Sequence, residues 1–128
     1  MADKRVLYIE DEKFFATTVE KVLGAAGYSV QLSADGEAGV KVAKEWKPDI
    51  VLLDLLLPKI DGFEVLTALK ADLATKAIPI IVLSNLNSEA DVKKATELGA
   101  KHFFVKALTM PAGILAIVKD AIGAPEQH

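Results

Sequence analysis

The sequence predicts an α/β protein in which five strand–helix units build a parallel sheet. Short apolar runs alternate along the chain with segments whose apolar residues recur at the spacing of an amphipathic helix. Most of the short runs are apolar throughout, as expected for strands that helices cover on both faces. A hydrophobic fraction of 52% and a mean hydropathy of +0.31 argue against disorder. These observations favour one folded domain with a large core.

The elements of the first half follow from their residue patterns. Residues 6–9 are entirely apolar and predict a buried strand, whereas residues 28–32 alternate in polarity and predict an edge strand. Glycines close the first helix, and Pro48 marks the end of the second. The predicted order is a strand at 6–9, a helix at 12–26, a strand at 28–32, a helix at 35–46 and a strand at 49–54.

The second half begins with a turn and repeats the strand–helix pattern. Pro79 fits the first position of a strand, where a missing N–H does least harm. Ser88 and Asp91 match a capping box at a helix start, and Thr109 is the predicted N-cap of the last helix, with Pro111 in its first turn. The predicted elements are a helix at 63–72, a strand at 78–83, a helix from 88 to 99, a strand at 102–105 and a helix from 109 to about 122.

Composition excludes several kinds of protein. The chain has no cysteine, which rules out disulfides and thiolate metal sites. No apolar run approaches the roughly 18 residues that a membrane span needs, and the N-terminus lacks a signal-peptide pattern. A net charge of −3 disfavours a general polyanion-binding surface. We therefore expect a cytoplasmic protein without membrane insertion and without direct nucleic-acid binding.

Chemically useful side chains follow four of the five predicted strands. Asp54 is the most informative, because it interrupts an apolar run in which a lone carboxylate would be costly to bury. Glu10 and Asp11 end the first strand, Ser84 ends the fourth, and Lys106 ends the fifth. In open α/β sheets, ligands bind outside the carboxyl ends of the strands. These side chains are therefore expected to converge on one crevice.

The chemistry of this set favours a phosphoryl site. Three carboxylates in one crevice repel one another, and a hard divalent cation such as Mg²⁺ would relieve that repulsion. A carboxylate beside Mg²⁺ can attack phosphorus and form an acyl phosphate, so Asp54 is the candidate nucleophile. Lys106 would then pair with phosphoryl oxygens, and the Ser84 hydroxyl would donate a hydrogen bond to another of them.

The ordered motifs resemble the receiver domain of two-component response regulators, of the single-domain chemotaxis-regulator type. The resemblance runs from residue 4 to about residue 123 and implies one receiver domain over residues 1–128, without an output domain in this chain. It also implies a flavodoxin-like three-layer (βα)5 sandwich with strand order 2-1-3-4-5, as in chemotaxis receivers. The matching stretches are residues 6–12, 49–58, 61–64, 80–84 and 99–106.

The resemblance assigns the metal and acceptor roles by position. Asp54 matches the phospho-acceptor and a metal ligand, and Asp11 matches a direct Mg²⁺ ligand. Glu10 matches the neighbouring acid, which in the family acts mainly through a metal-bound water. The backbone carbonyl of Leu56 matches the main-chain ligand. Mg²⁺ is the expected cofactor, with Mn²⁺ as an alternative ion.

The resemblance also implies a switch and its partners. Ser84 matches the hydroxyl switch residue, Lys106 the phosphate-pairing lysine, and Phe103 the aromatic whose rotamer follows Ser84. Such a domain is not a conventional enzyme, although it takes part in its own Mg²⁺-dependent phosphorylation and dephosphorylation. The expected donor is a histidine kinase or a histidine phosphotransfer protein. An effector protein is expected on the last two helices and the last strand, and the apolar last helix suggests a homodimer.

Several residues depart from the family pattern. Receivers usually carry proline in a cis peptide after the lysine, but this chain has Ala107, so we expect a trans Lys106–Ala107 bond and a displaced loop. Phe103 lacks the hydroxyl of the commoner tyrosine, and Asn85 stands where a small residue is usual. Leu56 and Leu86 flank the site and cannot orient an attacking water, which predicts a long-lived acyl phosphate.

Alternative functions stay open at this point. The departure at Ala107 would fit a pseudo-receiver that is not phosphorylated and acts as a protein-interaction scaffold. An α/β phosphohydrolase would want a second acid two residues after Asp54, where Leu56 stands. A flavin-binding protein would need hydroxyls and amides after the first strand, where this chain is acidic. Taken singly, Ser84 could be a strand cap, Lys106 a surface lysine and the acids a solvated helix start.

Overall fold

Five parallel strands form one sheet with helices on both faces in a computed structural model that describes residues 3–125. The strand order is β2-β1-β3-β4-β5, so the predicted fold class and strand order are confirmed, and β2 lies at an edge as its alternating polarity indicated. The strands are β1 (Arg5–Ile9), β2 (Ser29–Ser33), β3 (Ile50–Leu53), β4 (Ile80–Ser84) and β5 (His102–Val105).

Helices follow every strand, and most of them start with a side-chain cap. Asp35 and Asp61 accept hydrogen bonds from N–H groups in the first turns of α2 and α3. The predicted capping box of Ser88 and Asp91 opens α4 and is confirmed. No helix within residues 3–125 has the length and apolarity to cross a membrane. The helices are α1 (Lys13–Ala25), α2 (Gly36–Trp46), α3 (Gly62–Ala71), α4 (Glu89–Glu97) and α5 (Pro111–Ile122), with a 3-10 turn at Lys106–Leu108.

The sheet separates two apolar cores. One face of the sheet packs against α2, α3 and α4, and the other packs against α1 and α5. Successive side chains of a strand point to opposite faces, so an uninterrupted apolar run fills both cores. In β1, for example, Leu7 and Ile9 enter the first core, whereas Val6 and Tyr8 enter the second. This double burial holds the strand ends rigidly at the carboxyl edge of the sheet.

Strand register brings the polar residues of that edge together. Ile9 pairs with Leu53, so Glu10 and Asp54 leave their strands side by side, and the Asp54 N–H donates to the Ile9 carbonyl at 3.0 Å. Ser84 pairs with Val105, which places Lys106 directly beyond this pair. The central strands β1, β3 and β4 and the edge strand β5 therefore carry the acids, the hydroxyl and the lysine to one crevice.

Two predicted boundaries near prolines are wrong. The fourth strand begins at Ile80 rather than at residue 78, because the Ile78 N–H donates to Thr75 in a turn and Pro79 contributes only its carbonyl, to Val51. Thr109 does not cap the last helix. Its hydroxyl donates back to the Val105 carbonyl at 2.8 Å, and α5 begins at Pro111 after Met110, which has no capping side chain.

The last helix is less exposed than its sequence suggests. Ile114 and Val118 are buried in the second core, and the remaining large apolar residues of α5 are half-buried against the same core. The exposed large apolar residues in this part of the chain precede the helix, at Leu108 and Met110. A partner surface at this end would therefore include the loop before α5 as well as the helix.

Replacement of Gly62 by alanine should strongly destabilise the fold. A Cβ at this position would lie 2.4 Å from the Leu55 Cα and 2.5 Å from the Asp54 carbonyl oxygen, so backbone would have to move. We expect the free energy of unfolding to fall by at least about 2 kcal/mol in urea denaturation. Gly24→Ala is the matched control, because nothing lies within 4 Å of its added Cβ in α1. That variant should be neutral or slightly stabilising, and equal losses in both variants would contradict the steric explanation.

Candidate functional site

Three carboxylates form an acidic cluster at the carboxyl edge of the sheet. One oxygen from each of Glu10, Asp11 and Asp54 lies within 4.8 Å of the other two. Glu10 and Asp54 are only 2% and 4% exposed, whereas Asp11 is exposed. An oxygen-only donor set with two buried carboxylates and one open side suits a hard divalent cation that keeps several waters. The residues present therefore fit Mg²⁺ or Mn²⁺.

The loop after Asp54 is folded against its carboxylate. The Leu56 N–H donates to Asp54 Oδ1 at 3.1 Å, which keeps the main chain of residue 56 close to the cluster. The Leu56 side chain points outward and is 55% exposed. The predicted role of the Leu56 carbonyl as a metal ligand agrees with this placement and stays a prediction.

Lys106 reaches the acidic cluster from the end of β5. Its ammonium nitrogen lies 2.7 Å from Glu10 Oε1, 2.8 Å from Glu12 Oε2 and 3.6 Å from Asp54 Oδ2. No cis peptide bond occurs among residues 3–125, so the expected trans bond between Lys106 and Ala107 is confirmed. The trans bond does not draw the lysine out of the site, since the side chain is buried among the acids. The predicted loop displacement stays a prediction.

Ser84 contacts the same carboxylate from β4. Its hydroxyl donates to Asp54 Oδ1 at 2.8 Å and accepts a hydrogen bond from the Leu86 N–H at 3.2 Å. Asp54 is therefore approached by a hydroxyl on Oδ1 and by an ammonium group near Oδ2. These are the donors that a phosphoryl group attached to Asp54 would require.

Phe103 lies on β5 and contacts the first core. It is half-buried and stands opposite Val82 in the β4–β5 register. A side chain in this position is held by apolar contacts, as expected for a phenylalanine without the tyrosine hydroxyl. Its role as the switch aromatic stays a prediction.

Sequence reasoning missed three residues that surround Lys106. Glu12 supplies a second close carboxylate, the Phe15 ring lies 5.0 Å from the ammonium nitrogen, and the Tyr8 hydroxyl donates to Glu10 Oε1 at 3.0 Å. Glu12 could have been found from its place in the sequence, because it continues the acidic run that follows the first strand at Glu10 and Asp11. Nothing in the sequence distinguished Tyr8 or Phe15 from ordinary core residues.

Burial and charge shift the proton affinities of this network. Burial raises the pKa of Glu10 to about 7. The negative charge of Asp54 also raises this pKa, whereas the hydrogen bond from Lys106 lowers it. Burial alone would lower the pKa of Lys106, but the hydrogen bonds to Glu10 and Glu12 outweigh it and raise that pKa. Lys106 is therefore cationic at neutral pH, whereas Glu10 changes its protonation state near neutral pH.

The raised pKa of Glu10 predicts a pH-dependent stability in metal-free buffer. The folded state binds this proton more tightly than the unfolded state, so its contribution to stability is present below pH 4.5 and is lost as pH rises to about 7. Relative to Glu10→Gln, the free energy of unfolding of the wild type should fall by about 2 kcal/mol across that window. Urea titrations at several pH values would measure it. If the free energy of unfolding of the wild type instead rose with pH relative to that of Glu10→Gln, the ion pair with Lys106 would outweigh the effect of burial.

The sequence matches the family model described as response regulator receiver domain over residues 6–118. The transcriptional regulatory protein AfsQ1 of Streptomyces coelicolor is 37% identical over 117 residues, which cover 89% of this chain and 51% of that protein. The chain spans about half or less of the length of the curated relatives it matches.

Solved structures show the same architecture. Chemotaxis protein CheY4 of Vibrio cholerae superposes with a TM-score of 0.87 at 26% identity, over 94% of this chain and 100% of that one. The Mn²⁺-bound form of response regulator Rcp1 superposes with a TM-score of 0.80 at 30% identity, over 91% of this chain and 92% of that one. With the family model covering most of its length, the chain belongs to the response regulator receiver domains of two-component systems.

Proposed function

We propose that this receiver domain is a phospho-accepting switch in which Asp54 takes a phosphoryl group from a histidine kinase or a histidine phosphotransfer protein. One observation carries the proposal: the buried Asp54 carboxylate belongs to an acidic cluster, accepts a hydrogen bond from a hydroxyl and lies near a lysine. Each of these groups has a use in phosphoryl transfer, and a scaffold domain would need none of them.

Asp11, Asp54 and the Leu56 carbonyl would hold Mg²⁺, with Glu10 acting through a bound water. When bound, the ion would offset the charge of the carboxylates and of the phosphoryl oxygens. Support comes from the oxygen cluster of Glu10, Asp11 and Asp54 and from the Mn²⁺-bound relative Rcp1. Mn²⁺ would satisfy the same donors.

The transfer step forms one bond and breaks one bond at phosphorus. A carboxylate oxygen of Asp54 attacks the phosphorus, and the bond from phosphorus to the donor imidazole nitrogen breaks with its electron pair left on that nitrogen. The product is an acyl phosphate on Asp54. Lys106 can pair with a phosphoryl oxygen by leaving Glu12, whose side chain is 59% exposed and can take up water instead. The Ser84 hydroxyl can turn from Asp54 Oδ1 to another phosphoryl oxygen.

Exposed apolar residues that neighbour the site residues along the chain support a protein donor rather than a small metabolite. Phe14 lies in the first turn of α1, Leu56 follows Asp54, and Leu108 and Met110 follow Lys106. All four are large apolar residues that are more than half exposed. Aromatic, leucine and methionine side chains of this kind favour docking of a partner surface over the reactive carboxylate. The effector is proposed to bind α4, β5 and α5, and the same face, through α5, is the proposed surface for a homodimer.

Incubation with Mg²⁺ and acetyl phosphate should add the mass of one phosphoryl group, and Asp54→Asn should abolish the adduct because the amide is not a nucleophile. Intact-mass spectrometry measures this directly. It is preferable to tryptophan fluorescence, because Trp46 lies beside Arg5 at the opposite edge of the sheet.

Asp120→Asn is the matched control for the acceptor. Asp120 is an exposed aspartate on α5, remote from the acidic cluster, and its replacement should leave adduct formation unchanged. Failure of the wild type to form any adduct with Mg²⁺ present would overturn the proposed switch in favour of the scaffold function.

The acyl phosphate should be long-lived, and hydrolysis should accelerate in the double variant Leu56→Asn, Leu86→Glu. The wild-type leucines offer no group that can orient water, whereas the amide and the carboxylate can. We expect the hydrolysis rate constant to rise about tenfold or more, followed as the decay of the phosphorylated mass after removal of acetyl phosphate.

The control for this variant is Leu73→Asn. Leu73 is 81% exposed in the loop after α3, so this substitution gives the same change of chemistry away from the site. Because Leu86 is half-buried against the first core, the melting temperature of each variant should be measured alongside. A double variant that stays folded and hydrolyses no faster than the wild type would refute the explanation.

A further inference from the structure

One hydrogen bond joins the two loops that carry the phosphoryl-binding donors. The Ala107 N–H donates to Asn85 Oδ1 at 2.7 Å. Asn85 directly follows Ser84, and Ala107 directly follows Lys106. The bond therefore links the residue after the hydroxyl donor to the residue after the lysine.

The bond continues the β4–β5 pairing past the point where the strands end. The last paired residues of these strands are Ser84 and Val105. Beyond them β5 turns into the 3-10 turn at Lys106–Leu108, and within residues 3–125 no backbone hydrogen bond joins the two loops. The Asn85 amide replaces the next rung of the ladder with a side-chain acceptor.

The donor of this bond, the Ala107 N–H, lies near the start of the 3-10 turn and has no acceptor within that turn. The first N–H groups of a helical turn have no intrahelical acceptor and need a side chain or water. Asn85 Oδ1 supplies that acceptor for the Ala107 N–H, and it does so from the loop after the neighbouring strand β4. Proline at position 107 would have no N–H to donate. This hydrogen bond therefore requires both the asparagine at position 85 and a residue other than proline at position 107.

We propose that Asn85 is a positioning residue for Lys106, and the proposal rests on the phospho-accepting function of Asp54. In the resting site Lys106 lies nearer to Glu10 and Glu12 than to Asp54. The Asn85–Ala107 bond fixes the main chain at the base of the lysine side chain, at a set distance from Ser84. The ammonium group and the hydroxyl then reach a phosphoryl group on Asp54 as one preorganised pair.

The test compares beryllium fluoride binding with Mg²⁺ binding. Asn85→Ala should weaken the affinity for beryllium fluoride at saturating Mg²⁺ about threefold, because the lysine loop must then be ordered when the ligand binds and the lost hydrogen bond is a solvent-exposed one. It should also lower the maximal rate of phosphorylation by acetyl phosphate. The affinity for Mg²⁺ alone should stay within about twofold, because the acidic cluster is untouched. Isothermal calorimetry and intact mass give these readouts, and a merely structural defect would weaken both ligands.

Two further variants make the inference specific. Asn87→Ala removes an exposed asparagine from the same loop, outside this contact, and should behave as the wild type. In an Ala107→Pro background the N–H is absent, so Asn85→Ala should have no further effect. If Ala107→Pro does not fold, the beryllium fluoride affinities of Asn85→Ala and Asn87→Ala decide whether the positioning role holds.

The outcomes separate this inference from the proposed function. A wild type that binds no beryllium fluoride overturns both. A wild type that binds it while Asn85→Ala binds equally well overturns the positioning role alone, and so does an undiminished effect of Asn85→Ala in the proline background. Equal loss of Mg²⁺ and beryllium fluoride affinity would also overturn it.

Discussion

The site depends on the burial of two carboxylates at the edge of one sheet. Glu10 and Asp54 are almost inaccessible and adjacent, an arrangement that is costly unless positive charge is supplied. In the absence of a metal that charge comes from Lys106, which bridges Glu10, Glu12 and Asp54. Glu10 follows β1, Glu12 is the N-cap residue of α1, Asp54 follows β3 and Lys106 follows β5. One ion-pair network therefore ties together three strands of the sheet and a helix that covers it.

The same constraint would make the site responsive to a cation or a phosphoryl group, as the proposed function requires. The lysine makes its closest contacts with Glu10 and Glu12, so the carboxylate of Asp54, the proposed acceptor, keeps an oxygen that is not fully neutralised. A cation placed among Glu10, Asp11 and Asp54 would reduce the demand on Lys106 and free it for an incoming phosphoryl group. The raised pKa of Glu10 has the same origin, since burial beside Asp54 disfavours its charge. Stability is thus given up locally where chemistry is proposed to occur.

Sequence patterns predicted the fold and the convergence of the strand ends because both follow from periodicity and from parallel pairing. Asp54, Glu10 and Lys106 could be placed together in this way, and their roles remain proposals. Glu12 and Phe15 could not, since their contacts depend on how the lysine side chain turns after it leaves β5. The start of α5 was misplaced because the Thr109 hydroxyl can bond forward to a helix or back to Val105, and sequence alone does not choose.

Two departures from the family pattern that look unrelated in sequence are joined by a hydrogen bond in the structure. Ala107 replaces a proline and exposes an N–H at the start of a turn, and Asn85 replaces a small residue and supplies the acceptor. Residues 22 positions apart become a pair only because Ser84 and Val105 are in register. A cross-loop hydrogen bond of this kind restrains the lysine loop by a different means from a proline ring. The loss of proline at 107 is therefore no argument that the lysine is misplaced, since the ammonium group stays 3.6 Å from Asp54.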